Sequence, residues 1–407
     1  MKILQVNCVY KTGSTGKIMY DIHTVLLEKG YESVVCYGRG NKTNDVNVYK
    51  TCGELYSKLN NLLSRFTGIM YGGCLFSTNK LISVIKKEKP DIVHLQCLNG
   101  YFVNIYRLIN WLKVNRIKTV LTLHAEFMHT ANCGNSYECE KWKTGCGKCP
   151  HLKKETKSFL FDGTARSFRK MKKAFDGFDK DLVVVSVSNW IKRRAEQSPI
   201  LSGKNHKVIV NGLDIDNFYP RSVEELKSSL GLQSGKTVLF VTPAFSLNPK
   251  HIKGGYYVVE LAKMLPNMKF IVVGNTNRDI KLPENVIDVG RVENQPKLAE
   301  YYSVADVMVI TSKSDNYPTV CLEANCCGTP VVGFNVGGVS ETIYDSMGET
   351  VSYGDLQALA EAVKKYAEMK PLLSKENVDM CRERNSRSRM TIDYIDLYKA
   401  LFECKID

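Results

Sequence analysis

The sequence predicts an α/β protein of two doubly wound domains, on three observations. Short β-branched runs alternate with helical stretches along all 407 residues. The runs are nearly unbroken in their apolar character, as expected of parallel strands covered by helices on both faces. The alternation is interrupted at "QSPILSGKNH", near residues 200–215, and a chain of this length suits two domains.

The first domain is expected over residues 1–205. Its strands are "KILQV" (2–6), "SVVCY" (33–37), "DIVHLQ" (91–96), "TVLTL" (119–123) and "LVVVSVS" (182–188). The second is expected over 206–387, with "KVIVN" (207–211), "TVLFVT" (237–242), "KFIVVG" (269–274), "NVIDVG" (285–290), "DVMVIT" (306–311) and "PVVGF" (330–334). The final stretch, 388–407, contains "MTIDYIDLYKALF", a helix with no strand after it, and is expected to pack back on the first domain. Ligands of such sheets bind outside the carboxyl ends of the strands, which places the expected site in a cleft between the domains.

The first strand is followed by "VYKTGSTGKI". A phosphate loop of the Walker type would need Ser or Thr after its lysine and a glycine five positions before the second one. Ile18 and Lys11 stand at those places. What survives is a turn with Gly13 and Gly16 and a helix from about Lys17 to Lys29, whose free N–H groups suit an anion.

With 44% hydrophobic and 24% charged residues the composition is that of a globular protein. No window approaches 18 uninterrupted apolar residues and the start lacks a signal-peptide core, so a cytoplasmic protein is expected. The net charge of +14 is uneven: residues 141–180 hold twelve Lys or Arg against four Asp or Glu. Within them "ARSFRKMKKAF" sets Phe168, Met171 and Phe175 at helical spacing amid Arg166, Arg169, Lys170, Lys172 and Lys173. Such a helix either packs its apolar face into the core or lies on an anionic membrane surface at the inner face of the cell membrane. No RNA motif or finger pattern accompanies the charge, so nucleic acid is not an expected partner.

The most informative stretch is "TSKSDNYPTVCLEANCCGTPVVGFNVGGVSETI", Thr311 to Ile343. Pro318 suits the first position of a helix running to about Cys327 and stopped by Gly328. Asp315 then lies in the loop at a strand's carboxyl end, and Glu323 lies further along the helix. The helix start can hold phosphate oxygens, whereas a carboxylate such as Glu323 suits neutral sugar hydroxyls.

An acidic residue, seven residues, then "EA", "G.PVV" and "GG..E.I" resembles the retaining glycosyltransferases of family 4, which have the GT-B fold of two facing Rossmann-like domains. "DNYPT" resembles a subgroup making capsular polysaccharides and exopolysaccharides, of the colanic-acid type. "TLHAEF", "SVSNWIKRRA", "NGLDIDNFYP", "IKGG" and "YYSVADVMVITS" extend the likeness over nearly the whole chain. The resemblance implies transfer of a sugar from a UDP- or GDP-sugar donor to a glycan or lipid-linked acceptor, without a catalytic metal. It implies that Glu323 holds the donor ribose, that Asp315 meets the donor sugar beside the backbone of Asn316 and Tyr317, and that Pro318 and Thr319 open the phosphate-facing helix. Lys253 matches the lysine on the diphosphate, His124 the histidine near the transferred sugar, and Arg291 lies near the base. Gly13 and Gly16 would face the diphosphate or acceptor. Many relatives carry an arginine about six residues before the lysine; here that residue is Leu247, with Lys250 as a substitute. The alternatives are a GT-B epimerase or phosphorylase, and a binding module whose transferase site has decayed.

"NCGNSYECEKWKTGCGKCP", in an insertion over 130–152, sets Cys133, Cys139, Cys146 and Cys149 as C-x5-C-x6-C-x2-C. Four thiolates at this spacing suit a structural zinc ion, with His129 and His151 as alternative ligands; free thiols and disulfides are the other outcomes.

Overall fold

The structure, a computed structural model, describes residues 1–274, 280–370 and 373–403. The chain divides into two compact units, one of Met1–Val210 with the chain from Met390 onward, the other of Asn211–Arg389. Residues 404–407 of the expected C-terminal segment lie outside the described residues.

In unit 1 the elements run β1 (Lys2–Asn7), α1 (Gly13–Glu28), β2 (Glu32–Tyr37), β3 (Val48–Lys50), α2 (Glu54–Thr67), α3 (Leu75–Glu88), β4 (Ile92–Leu95), α4 (Ile105–Val114) and β5 (Thr119–Leu123). They continue with α5 (Phe127–Thr130), α6 (Thr164–Phe175), β6 (Leu182–Ser186), α7 (Asn189–Gln197) and β7 (Asn205–Val208). The seven strands form one sheet in the order β3-β2-β1-β4-β5-β6-β7, and every pairing is parallel. Lys207 and Val208 of "KVIVN", expected to open the second domain, instead end β7 beside β6, and the first unit runs to Val210 rather than 205.

Unit 2 follows with α8 (Glu224–Ser229), β8 (Lys236–Thr242), α9 (Gly255–Met264), β9 (Met268–Gly274), β10 (Val286–Gly290), α10 (Gln295–Val304), β11 (Val307–Ile310) and α11 (Thr319–Cys326). It ends with β12 (Val331–Phe334), β13 (Gly348–Val351), α12 (Leu356–Met369) and α13 (Lys375–Arg384). Its parallel sheet has the order β10-β9-β8-β11-β12-β13. Counted from the first strand of the unit this is 3-2-1-4-5-6, the doubly wound order whose direction reverses between strands 1 and 4. The core beneath it gathers Val238, Phe240, Phe270, Val272, Val309 and Phe334 from the strands with Val258, Leu261 and Val363 from α9 and α12.

The last helix, α14 (Arg387–Phe402), is amphipathic and lays Met390, Tyr394, Ile395, Tyr398 and Leu401 on Ile3, Ile92, Val120 and Val183 of the unit 1 sheet. Two of its tyrosines also reach polar groups inside. The Tyr398 hydroxyl lies 2.7 Å from His94 Nδ1, and the Tyr394 hydroxyl 2.9 Å from Thr122 Oγ1, which is 2.8 Å from His94 Nε2. Both ring nitrogens of this fully buried histidine are therefore satisfied, and burial lowers its pKa to about 3.

Candidate active site

The reversal point of unit 2 lies between β8 and β11, and the loops leaving these two strands are laced together. Lys313 N–H donates to the Ile252 carbonyl at 2.7 Å, and Thr311 Oγ1 donates to the Gly254 carbonyl at 2.9 Å. Gly254 has φ +69°, and a Cβ there would stand 1.9 Å from the Thr311 carbonyl oxygen, so only glycine lets the loops approach this closely. The lacing sets Lys253 over the loop from β11, where Lys253 Nζ donates to Asp315 Oδ2 at 2.7 Å. The Asp315 carbonyl in turn accepts from Gly338 N–H at 2.9 Å, in the glycine turn after β12. Gly337, at φ +60°, is held there because a Cβ would meet that same carbonyl at 1.9 Å.

Three residues past Asp315, Pro318 caps α11 with extended backbone, and the helix begins at Thr319, one residue later than expected. Its first turn carries no acidic residue and no side-chain cap; Cys321 N–H donates to the Pro318 carbonyl at 3.2 Å, and the positive end of the helix suits an anion. The Tyr317 ring is buried and its hydroxyl pKa is raised by desolvation, whereas Asn316 and Thr319 are part-exposed. Glu323, one turn further along α11, accepts from the Tyr302 hydroxyl of α10 at 2.6 Å. Tyr302 is fully buried, and burial beside this carboxylate raises its pKa well above the usual value. Cys321, two residues before Glu323 on the same helix, is fully buried.

The remaining expected residues of this unit stand apart. Lys250 is exposed, and Leu247 packs on the unit 2 core, so the position expected to hold an arginine is part of the hydrophobic floor. Arg291 follows the sheet-edge strand β10 and pairs with Glu293 at 3.1 Å on the surface. Tyr302 lies in the "YYSVAD" stretch, but nothing in its spacing alone pairs it with Glu323.

In unit 1, α1 begins at Gly13, four residues earlier than expected, so Gly16 belongs to the helix and the turn after β1 is Cys8–Thr12. Gly13 is exposed at the helix start, while Gly16 is buried and its carbonyl accepts from Lys11 N–H at 3.2 Å. His124 directly follows β5, with Nε2 at 3.4 Å from Gln96 Oε1; burial lowers its pKa to about 4, so the ring is neutral at pH 7.

The cysteine-rich insertion is organised by a buried ion pair. Arg194 of α7 donates to Glu126 at 2.5 Å, and its guanidinium lies 4.6 Å from the Trp142 ring centre and 5.0 Å from that of Trp190. Trp142 also packs edge-on against His129 and donates through Nε1 to the Cys139 carbonyl at 2.8 Å. "TLHAEF" and "SVSNWIKRRA" are thus two halves of one staple. The four cysteines are free and part-buried, and burial raises Cys133 and Cys149 and takes Cys146 to about 12. Among the described residues no group of three or more His, Cys, Asp or Glu is placed to hold a metal ion. His129 and His151, the alternative ligands, each lie against an aromatic ring, Trp142 and Tyr137.

On α6 the apolar face is spent on the core, with Phe168, Met171 and Phe175 buried and only the basic face outside. No helix among the described residues is long and apolar enough to cross a membrane.

Two parallel sheets of the doubly wound type, one in each unit, are the architecture of the GT-B fold. Residues 222–385 match the family model described as glycosyl transferases group 1. The chain is 26% identical over 388 residues to WcaC of Escherichia coli (strain K12), whose name assigns it to colanic acid biosynthesis as a glycosyl transferase; the match covers 89% of this chain and 90% of that one. Among solved structures it resembles sucrose-phosphate synthase of Thermosynechococcus elongatus, with TM-score 0.69, 16% identity and 99% of both chains covered. It also resembles Anabaena HepE in complex with UDP-glucose, with TM-score 0.65, 16% identity and 98% and 100% covered. The chain thus has the GT-B fold, and its residues 222–385 form a domain of the glycosyl transferases group 1 type.

Proposed function

We propose that this glycosyltransferase moves a sugar, with retention of its anomeric configuration, from a nucleoside diphosphate sugar to a lipid-linked glycan in capsular or exopolysaccharide synthesis. The observation that carries this is the Lys253–Asp315 pair at the reversal point of unit 2. With no donor, Lys253 and Asp315 neutralise each other. With a donor, the ammonium turns to the diphosphate and offsets the charge released as the glycosidic bond breaks. Asp315 is then free to accept hydrogen bonds from the sugar hydroxyls, and the uncapped start of α11 faces the phosphate oxygens. Glu323, held by Tyr302, accepts from the ribose hydroxyls. In this scheme Lys253 and the α11 N–H groups meet the leaving-group charge, so catalysis proceeds without a metal ion. His124 acts near the transferred sugar as a neutral imidazole. The UDP-glucose in HepE and the polysaccharide named for WcaC support the donor and acceptor classes.

One observation favours the decayed binding module: Leu247, part-buried, packs against the unit 2 core where the relatives' arginine would be. Incubation with UDP- and GDP-sugars and a lipid-linked acceptor separates the two readings. Proton coupling at the new anomeric centre should show the donor's configuration; inversion would refute retention, and absence of transfer with every donor would favour the binding module.

A further inference from the structure

Helix α2 is built inside out. The residues it turns inward are polar and satisfied: Ser57 Oγ donates to the Gly100 carbonyl at 2.9 Å, Asn60 Oδ1 accepts from Cys74 N–H at 2.7 Å, and Ser64 Oγ donates to the Asn61 carbonyl at 2.7 Å. Its leucines face the other way. Leu55, Leu59, Leu62, Leu63 and Phe66 recur at the helical period and are each between 45% and 73% exposed. A loop extends the same surface: Phe159 N–H donates to the Arg65 carbonyl at 2.9 Å, its ring meets Phe66 at 5.2 Å, and Leu160 and Phe161 stand 73% and 63% exposed beyond it. An apolar stripe this continuous is more than the scattered exposure ordinary on soluble surfaces.

Charge identifies what covers it. From Leu55 to Lys87 the sequence contains no Asp or Glu, while Lys58 and Arg65 lie on α2 itself. The Arg65 guanidinium lies 5.9 Å from the Phe159 ring centre, and its buried Nε has no hydrogen-bond partner among the described residues. Lys157 precedes the loop, and Lys170, on the basic face of α6, lines a cavity of about 250 Å³ together with Leu63, Ser64 and Thr67. A second copy of the chain would set these cations against themselves, with no acid in the stripe to pair them. A phosphate-bearing surface with an apolar interior meets both parts at once.

We infer that α2 and the 158–161 loop form a docking surface for an anionic lipid bilayer, the leucines and phenylalanines entering the interface and the cations meeting headgroup phosphates. This replaces the apolar face of α6, which is buried, and stands independently of the donor and acceptor readings, because binding needs no nucleotide.

The test is co-sedimentation of the whole protein with vesicles of phosphatidylcholine, with and without phosphatidylglycerol. The wild type should bind the anionic vesicles and lose them at high salt. Leu63→Ser with Phe66→Ser should weaken binding about tenfold, as should Lys58→Glu with Lys157→Glu, with unchanged melting temperatures because these side chains are exposed. Equal binding by the variants would overturn the proposal. So would a wild type that ignores anionic vesicles, including one that forms a dimer broken by Leu63→Ser with Phe66→Ser, which would assign the stripe to a second copy.

Discussion

Lys253 Nζ stands 2.7 Å from Asp315 Oδ2, joining the loops that leave two neighbouring strands whose helices wind in opposite directions. The side chains are 31% and 20% exposed, so solvent screens the pair and it contributes about 0–1 kcal/mol to folding. The pair's importance is expected in the reaction instead. Lys253→Ala should leave the melting temperature within a few degrees of wild type and lower kcat about 100- to 1000-fold, as for other groups aimed at developing negative charge. Steady-state kinetics with an unfolding curve on the same sample checks both halves.

The Tyr302 hydroxyl fixes one oxygen of Glu323 at 2.6 Å. A hydrogen bond to a charged acceptor is worth about 1.5–3 kcal/mol, so Tyr302→Phe should weaken nucleotide affinity about tenfold by loosening the carboxylate. Glu323→Ala should weaken it further. Calorimetric titration decides: affinity unchanged in Tyr302→Phe but lost in Glu323→Ala would mean that the tyrosine is packing only.

The sheets were legible in the sequence because buried parallel strands announce themselves as unbroken β-branched runs, and "TVLTL" falls on β5 residue for residue. Edges were not. β3 has only three residues, all part-buried, and β13 is a short edge strand, so neither carries an apolar run. Asp315, Glu323 and Lys253 could be chosen from motif spacing, but the bond between Lys253 and Asp315 crosses 62 positions and depends on the lacing of two loops. Leucine spacing in α2 taken alone would suggest a core-facing helix; that its serines and asparagine are the buried side is decided by partners on Gly100 and Cys74, far from any local signal.

Glu126 is 1% exposed and is held by Arg194. Removing one partner of a buried pair strands the other charge, at a cost of about 3–5 kcal/mol. Arg194→Met should therefore lower the urea midpoint sharply, and adding Glu126→Gln should restore part of the loss. Equal stability of Arg194→Met and wild type would show that the insertion is held by something else.

Acid should unfold the protein through histidines whose pKa values desolvation lowers. His94 and His129 have pKa values lowered to about 3 and His124 to about 4, against 6.5 for a free ring. Below pH 6.5 the unfolded chain takes up protons that the folded one refuses, so stability is complete above that pH and falls towards pH 4. The slope is about 1.4 kcal/mol per pH unit for each ring. Melting temperatures between pH 7 and 5 should decline, and His94→Gln should reduce the decline. A flat profile would mean that the rings accept protons in place.

The central claim is that the reversal point of unit 2 binds a nucleoside diphosphate through Lys253 and Glu323. A thermal-shift comparison with UDP, GDP, CDP and ADP tests it most directly, since a ligand at one hundred times its dissociation constant stabilises the native state by about 2.7 kcal/mol. The account predicts that one nucleotide raises the melting temperature by several degrees and that Lys253→Ala and Glu323→Ala each abolish most of the rise. A rise that persists in both variants, or no rise with any nucleotide, would contradict it.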